Sequence, residues 1–380
     1  MSAPSDVVQL TTDLVAVDSV NPSLVPGGAG EGRIAAAVVD WASRSGLTAE
    51  VVEETPGRPS VVVRSGPRGG GRTLLLCGHL DTVGHGAMRS PLTPRLEGDR
   101  LYGRGAYDMK GGLAAALVAC RDAAAAGVAG EVVVAAVADE EHASLGVREV
   151  LAHVQADAAV VTEPTELEVV TAHKGFAWIE IEVTGRAAHG SRPHLGVDAI
   201  RKTGPVLVAL DAWDRALAAG THHDLLGAAT VHASLIEGGT EASTIPDRCL
   251  LTAERRTLPG ETAEQVGREV EDLLRRCRAD DPELAVGSRL TLVRDPFETP
   301  ADAPLVTELT AAAGTVLGRT AAPTGASYWA DSAFLSAAGI PTALFGPGGE
   351  GAHADVEWVN LRDVEACAAV LTRLAVAFCR

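Results

Sequence analysis

Aromatic side chains are scarce in this sequence: five Phe, five Trp and three Tyr make up only 3% of its 380 residues. A core anchored on large rings is thereby excluded. With 46% hydrophobic residues, the interior must rely on Ala, Val and Leu packed at close distances. Paired cysteines are missing as well. Cys77, Cys120, Cys249, Cys277, Cys367 and Cys379 are scattered without a CxxC pair, which excludes a disulfide framework or a structural zinc knuckle and suits a reducing compartment. Apolar runs stop short of the roughly 18 residues that a membrane span needs. The first residues, MSAPSDVVQL, hold no basic segment ahead of an apolar one, so no secretory signal is expected. Positive charge is in deficit too, and a net charge of -18 would repel the phosphates of a nucleic acid. It leaves small substrates open, because the field inside a cleft can oppose the global charge. A soluble cytoplasmic enzyme is the class these absences bound.

At 380 residues the chain exceeds what one core usually organises, so two domains are expected. Helical spacing over 6–17 and 32–44 is followed by strand-like 47–52 and 60–64 and by a turn at Gly69, Gly70 and Gly71. The apolar run 74–78 then delivers His79 and Asp81 to one side of an extended chain. Asp108 stands directly ahead of an alanine-rich helix that Gly127 caps. EVVVAAVADEE reads as a strand covered on both faces, ending on Asp139, Glu140 and Glu141. A helix near 144–153 leads to the strand 158–162, which ends on Glu163-Pro164. This is a doubly wound α/β pattern, and such sheets place ligands beyond the carboxyl ends of their strands.

From about Gly175 the segment FAWIEIEVTG alternates apolar and polar residues, as an antiparallel strand with one open face does. Helix 196–219, strands 228–236 and 248–257, helix 262–278 and strand 289–294 complete a βαββαβ unit. After Pro296 come helices 303–317 and 331–338, the strand 341–345, the loop GPGGEGAHADVE and a last helix over 361–378. The expected fold is therefore α/β: a doubly wound mixed-sheet catalytic domain over 1–175 and 295–380, interrupted by an α+β domain over 176–294.

Taken singly, the polar strand ends have plain structural readings. HxD is a local hydrogen-bonded pair, Glu140-Glu141 a solvated strand end, Glu163-Pro164 a turn, and His353 an exposed loop residue. Together they read differently, because several segments of one sheet end in metal-competent side chains, and gathering like charges is costly without a cation. Two imidazoles, His79 and His353, and three carboxylates, Asp108, Glu141 and Glu163, exceed the needs of one catalytic zinc with an open position. They suit two zinc ions bridged by a carboxylate and a water. Neighbours on an extended chain point to opposite sides, so one of Glu140 and Glu141 ligates while the other acts as base. Asp81 is then the carboxylate that orients His79.

GHLDTV, YGRGAYDMKGG, ADEEHASLG, VTEPTE, HKG, RAAHGSRPHLGVDAI, IPDRCLLTAERR and FGPGGEGAHADVEWV together resemble the M20 metallopeptidases, a family of acetylornithine deacetylases, succinyl-diaminopimelate desuccinylases, aminoacylases and glutamate-releasing carboxypeptidases. The motifs stand in family order and cover most of the chain. The resemblance implies His79 and Glu163 on one zinc, Glu141 and His353 on the other, Asp108 as the bridge, Glu140 as general base and acid, and a cis peptide after Asp108. Co2+ or Mn2+ is a possible substitute for zinc. The α+β insertion is implied to be a lid and dimerisation domain, with His189 reaching the active site of a second copy to stabilise an oxyanion.

Substrate contacts are implied for Arg256 in AERR, which would hold an α-carboxylate, and for Lys174 in HKG, whose alternative is a hinge residue. Gly346, Gly348 and Gly349 would let the His353 loop approach the metals and offer N–H groups to a carboxylate. Ser243 stands where many members carry asparagine, and Tyr328 and Trp329 either line an acyl pocket or pack on the final helices. The activity so implied is zinc-dependent hydrolysis of the amide of an N-acyl amino acid by a metal-bridged hydroxide. A dipeptidase or carboxypeptidase of the same family, or a noncatalytic small-molecule binder, are the alternatives. The expected partners are a small N-acyl amino acid or short peptide and a second copy of the chain, with neither nucleic acid nor membrane.

Overall fold

A computed structural model describes residues 5–66 and 70–380; of the expected glycine turn, Gly69 lies outside the described residues. The chain forms two units, one of Met1–Thr171, Thr299–Thr324 and Ala330–Arg380, the other of Ala172–Glu298 and Gly325–Trp329.

The first unit is built on a mixed sheet. Its strands run in the order Thr48–Val52, Ser60–Arg64, Glu131–Val137, Thr73–His79, Ala158–Val161, Thr342–Leu344, Val169–His173. The four from Glu131–Val137 to Thr342–Leu344 are parallel, and the outer ones pair antiparallel. Parallel strands covered on both faces have no need to alternate, and every residue of Glu131–Val137 is buried. Alternate positions Leu74, Leu76, Val132, Val134, Ala158 and Val160 share one core with helices Asp6–Val15, Gly32–Arg44, Gly111–Ala125, Pro304–Leu317 and Leu361–Phe378. Helices Leu145–Leu151 and Ser332–Ala337 pack on the other side. Gly111–Ala125 lies against Leu361–Phe378, and the small buried residues Ala115, Ala116, Ala119, Ala368 and Ala375 allow that approach without large rings. Gly112 is required by a separate close approach, to the end of the strand Ala158–Val161: a Cβ there would sit 1.9 Å from the carbonyl oxygen of Thr162.

Two features were not legible as strands. Val169–His173 is buried at every position and is separated from the next strand, Gly175–Thr184, by Lys174 alone; without alternation the two merge into one apolar stretch. A small sheet also joins Arg95–Glu97, Arg100–Tyr102, Trp358–Asn360 and Gly349–Glu350. Its last two strands bracket the loop that carries His353.

The second unit is a four-stranded antiparallel sheet in the order Thr230–Gly238, Arg248–Thr257, Gly175–Thr184, Ala285–Arg294. Strict alternation buries Ala177, Ile179, Ile181 and Val183 beneath helices Ala199–Ala218 and Ala263–Asp280. Both helices start on side-chain caps, Asp198 accepting from the N–H of Arg201 and Thr262 from that of Gln265. The fold is thus α/β with an inserted βαββαβ unit. Among the described residues no helix is long and apolar enough to cross a membrane.

Candidate active site

In the first unit the chemistry gathers at the carboxyl ends of the parallel strands, where chain direction delivers each side chain in turn. His79 is the last residue of Thr73–His79. Its Nδ1 lies 2.9 Å from the main-chain oxygen of Asp81, and since a carbonyl only accepts, Nδ1 carries the proton and Nε2 presents its lone pair. Nε2 is 3.1 Å from Asp108 Oδ1 and 3.8 Å from Glu163 Oε1. On the other side of Asp108, His353 Nε2 is 3.3 Å from Oδ2 and 3.0 Å from Glu141 Oε2. Two ligand-competent groups result, His79–Asp108–Glu163 and Asp108–Glu141–His353. Asp108 is common to both and turns one oxygen to each. The peptide that follows it, Asp108–Met109, is cis.

The acids here crowd one another. Burial and then the neighbouring acids Asp108, Glu141 and Asp331 push the Glu163 carboxyl up to about 8, against the pull of His79. Glu140 is raised well above the usual carboxylate range, first by burial and then by Glu163 and Asp331. His353 is raised to about 10 by its hydrogen bonds to Asp108 and Glu141. For His79 burial works the other way, but the hydrogen bond that its charged ring gives to Asp108 and the charges of Glu163 and Glu140 outweigh it. The carboxyls of Glu140 and Glu163 and both imidazoles are raised, while His353 and His79 hold the Asp108 carboxyl below the usual range; imidazoles that bind protons this firmly among buried acids mark a site that attracts a cation. Glu141 Oε1 adds a second sign of fit, being buried with no hydrogen-bond partner. Imidazole and carboxylate donors in two groups sharing one carboxylate are a donor set for paired divalent ions.

The ligand-bearing turns are held from behind. Asp81 was expected to orient His79 through its carboxylate; the main-chain oxygen does so, and the carboxylate stands 3.8 Å away. That carboxylate instead accepts the N–H groups of Glu140 and Glu141, at 3.1 and 3.3 Å. Glu140 and Glu141 follow Asp139 at φ 66°, so they sit on a turn and not on an extended chain. Asn21 Nδ2 links Asp81 to Asp139, at 2.7 and 3.0 Å, and Arg58 joins Asp139 to Glu31, at 2.8 and 2.6 Å. The Asp108 loop has a matching support. Glu357 accepts the N–H groups of Gly105, Tyr107 and Asp108 and pairs with buried Arg104 at 2.8 Å. Sequence reasoning missed these supports. Glu357 and Arg104 stand within the family-like motifs, whereas nothing local marks Asn21, Glu31 or Arg58.

The remaining candidates fall elsewhere. His189 and Ser243 come together in the second unit, where Ala188–His189 pairs with Thr244–Ile245 and the Gly190 N–H donates to the Ser243 oxygen at 2.7 Å. Arg256 engages Glu254 through Nε at 2.7 Å and stacks over Phe176, while Arg255 is buried against Glu261. Lys174 Nζ donates to the Ala228 oxygen at 2.6 Å, as a structural residue does. Gly348 N–H bonds to Asp363 and Gly349 N–H to Glu166, so these donors serve the fold where a role toward a substrate carboxylate was expected. Trp329 packs with His173 and Phe176 inside the second unit.

Known proteins add their testimony. The model of peptidase family M20/M25/M40 matches residues 75–377. An acetylornithine deacetylase from Myxococcus xanthus is 32% identical over 328 residues, which are 84% of this chain and 83% of the relative. A tripeptidase from Staphylococcus aureus has the same fold at a TM-score of 0.79 and 20% identity, over 98% of each chain. A dinuclear metal-binding peptidase of family M20 from Bacillus subtilis aligns at a TM-score of 0.74 and 15% identity, over 98% of this chain and 97% of the other.

Proposed function

Because this chain belongs to peptidase family M20/M25/M40 and is a metal-binding hydrolase of amides, we propose that it removes the acyl group from an N-acyl amino acid, with an acetyl group as the first candidate. The observation that carries the reading is the shared Asp108, one oxygen toward each ligand group. His79, Asp108 and Glu163 would hold one divalent ion, zinc by donor set, and Asp108, Glu141 and His353 a second. When bound, the pair would polarise the amide carbonyl and acidify the attacking water.

The chain's own residues do the rest. Glu140 belongs to neither ligand group, and its raised proton affinity suits a base that takes a proton from the attacking water and returns it to the leaving amine. Asp81 keeps that base in place by gripping the N–H groups of its turn. His189, delivered by a second copy of the chain, donates to the developing oxyanion, and Arg256 remains the candidate for the α-carboxylate through the nitrogens beyond Nε.

The acetyl assignment follows the deacetylase relative and is tested with N-acetyl, N-formyl and N-succinyl amino acids against dipeptides and tripeptides. The N-acetyl compounds should have the highest kcat/KM; a dipeptide or tripeptide leading the panel would move the enzyme to the peptidase reading.

A lid and dimerisation role for 176–294 is supported by the strand Thr230–Gly238 at the sheet edge, with Leu235 62% and Ile236 53% exposed, and by Val208 67% exposed on the long helix. An open apolar edge strand is a template for a second chain. Sedimentation should therefore find a dimer, and Leu235→Lys with Val208→Glu should give a folded monomer of low activity. Mixed dimers of a His189→Ala chain and a Glu140→Gln chain should regain activity, whereas no recovery would place His189 in its own subunit's reaction.

A further inference from the structure

The turn after His189 holds the imidazole in a defined way. His189 closes a two-residue strand, and the Arg192 N–H returns to its carbonyl oxygen at 2.7 Å, bringing Ser191 back against the ring. Two donors of Ser191 then converge on one nitrogen: its main-chain N–H reaches His189 Nδ1 at 3.2 Å, and its Oγ lies 2.8 Å from the same atom. A serine hydroxyl alone would leave the proton's place undecided, since it gives or takes a hydrogen bond with equal ease. The main-chain N–H, which can only donate, tips the balance, and the hydroxyl at the shorter distance completes the hold. Nδ1 must therefore offer its lone pair, and a neutral imidazole that accepts at Nδ1 carries its proton on Nε2.

We propose that Ser191 is a positioning residue that fixes the tautomer and the ring orientation of His189, making Nε2 a hydrogen-bond donor. The inference rests on the reading that His189 meets the oxyanion, for which a donor is useful and a lone pair is not. With Nδ1 engaged from behind by residue 191, the ring has one way to present itself, and the donor arrives already oriented. Gly190 N–H bound to the Ser243 oxygen anchors the other side of the turn, so the hydroxyl and the N–H of Ser191 act from a fixed base. The histidine and its orienting group thus come from one four-residue turn.

The test is nitrogen NMR of the whole protein labelled with 15N-histidine, with the His189 signals identified by their loss in His189→Ala. Wild type should show an unprotonated Nδ1 and a protonated Nε2. Ser191→Ala, which loses the shorter contact, should show a second population protonated at Nδ1 and a kcat lower by about three- to tenfold at unchanged KM, the effect of one neutral hydrogen bond. Ser191→Thr, which keeps both donors, should restore both readouts. A proton on Nδ1 in wild type, or a Ser191→Ala protein identical to wild type in spectrum and kcat, would overturn the proposal. Full activity in His189→Ala would instead remove the oxyanion role while leaving the tautomer assignment standing, so the two readings fail separately.

Discussion

Glu140→Gln is expected to lower kcat by about a hundred- to ten-thousand-fold while the protein keeps its full metal content. The side chain changes by one atom and hardly in volume, and residue 140 lies outside both ligand groups. Its main-chain N–H, which Asp81 holds at 3.1 Å, is untouched by the substitution. Only the capacity to take up and release a proton is lost. Replacing a carboxyl raised by burial and by Glu163 also relieves crowding, so the variant should melt no lower than wild type. Kinetics and elemental analysis on the same preparation decide the matter. Wild-type turnover would remove Glu140 from the reaction, and loss of metal would make it a ligand.

Asp108→Ala should act on both ligand groups at once. Each group would fall from three donors to two, and a two-donor site in water holds a divalent ion poorly. Activity should drop by at least a thousandfold, the equivalent of the several kcal/mol that such ions contribute to a transition state. The comparison is Glu163→Ala, which strips a ligand from the His79 group alone and should leave one tightly bound ion per chain. The loop itself should stay in place in Asp108→Ala, because Glu357 holds it by the main-chain N–H groups of residues 105, 107 and 108. Mass spectrometry under native conditions reads the stoichiometry. Two ions retained in Asp108→Ala would end the idea of a shared carboxylate.

How far these residues were legible in the sequence depended on what kind of physics placed them. His79, Glu141 and Glu163 follow apolar runs that could only be buried strands, so their delivery to one sheet edge was readable from pattern. The role of the Asp81 carboxylate was not, because it depends on the N–H groups of a turn about 60 residues onward, and main-chain donors carry no signature in sequence. The same holds for Asn21 and Arg58, which meet Asp81 and Asp139, and for Glu31, which meets Arg58, only after the strands are ordered in space. Lys174 shows the converse: a motif marked it, yet its ammonium serves the Ala228 carbonyl. Arg256 was expected to hold an α-carboxylate, but Glu254 stands two residues away on the same strand face and takes its Nε. The hydrogen bonds that give His189 its tautomer needed coordinates, since HGS has many possible turns.

The buried chain of contacts from Glu31 through Arg58, Asp139, Asn21 and Asp81 to residues 140 and 141 has a consequence for what counts as the minimal enzyme. A piece of this protein starting at residue 73 would own all five metal donors and the base, and could be mistaken for a complete catalytic cassette. It would lack Asn21, Glu31 and Arg58, leaving the buried Asp81 and Asp139 without the amide that bridges them and Asp139 without its guanidinium partner. The turn they govern would then be free to swing Glu140 and Glu141 out of register. The strands Thr48–Val52 and Ser60–Arg64 and the segments that precede and join them, which touch no substrate in any proposed step, are thus as much a part of the reaction's machinery as the side chains that meet it.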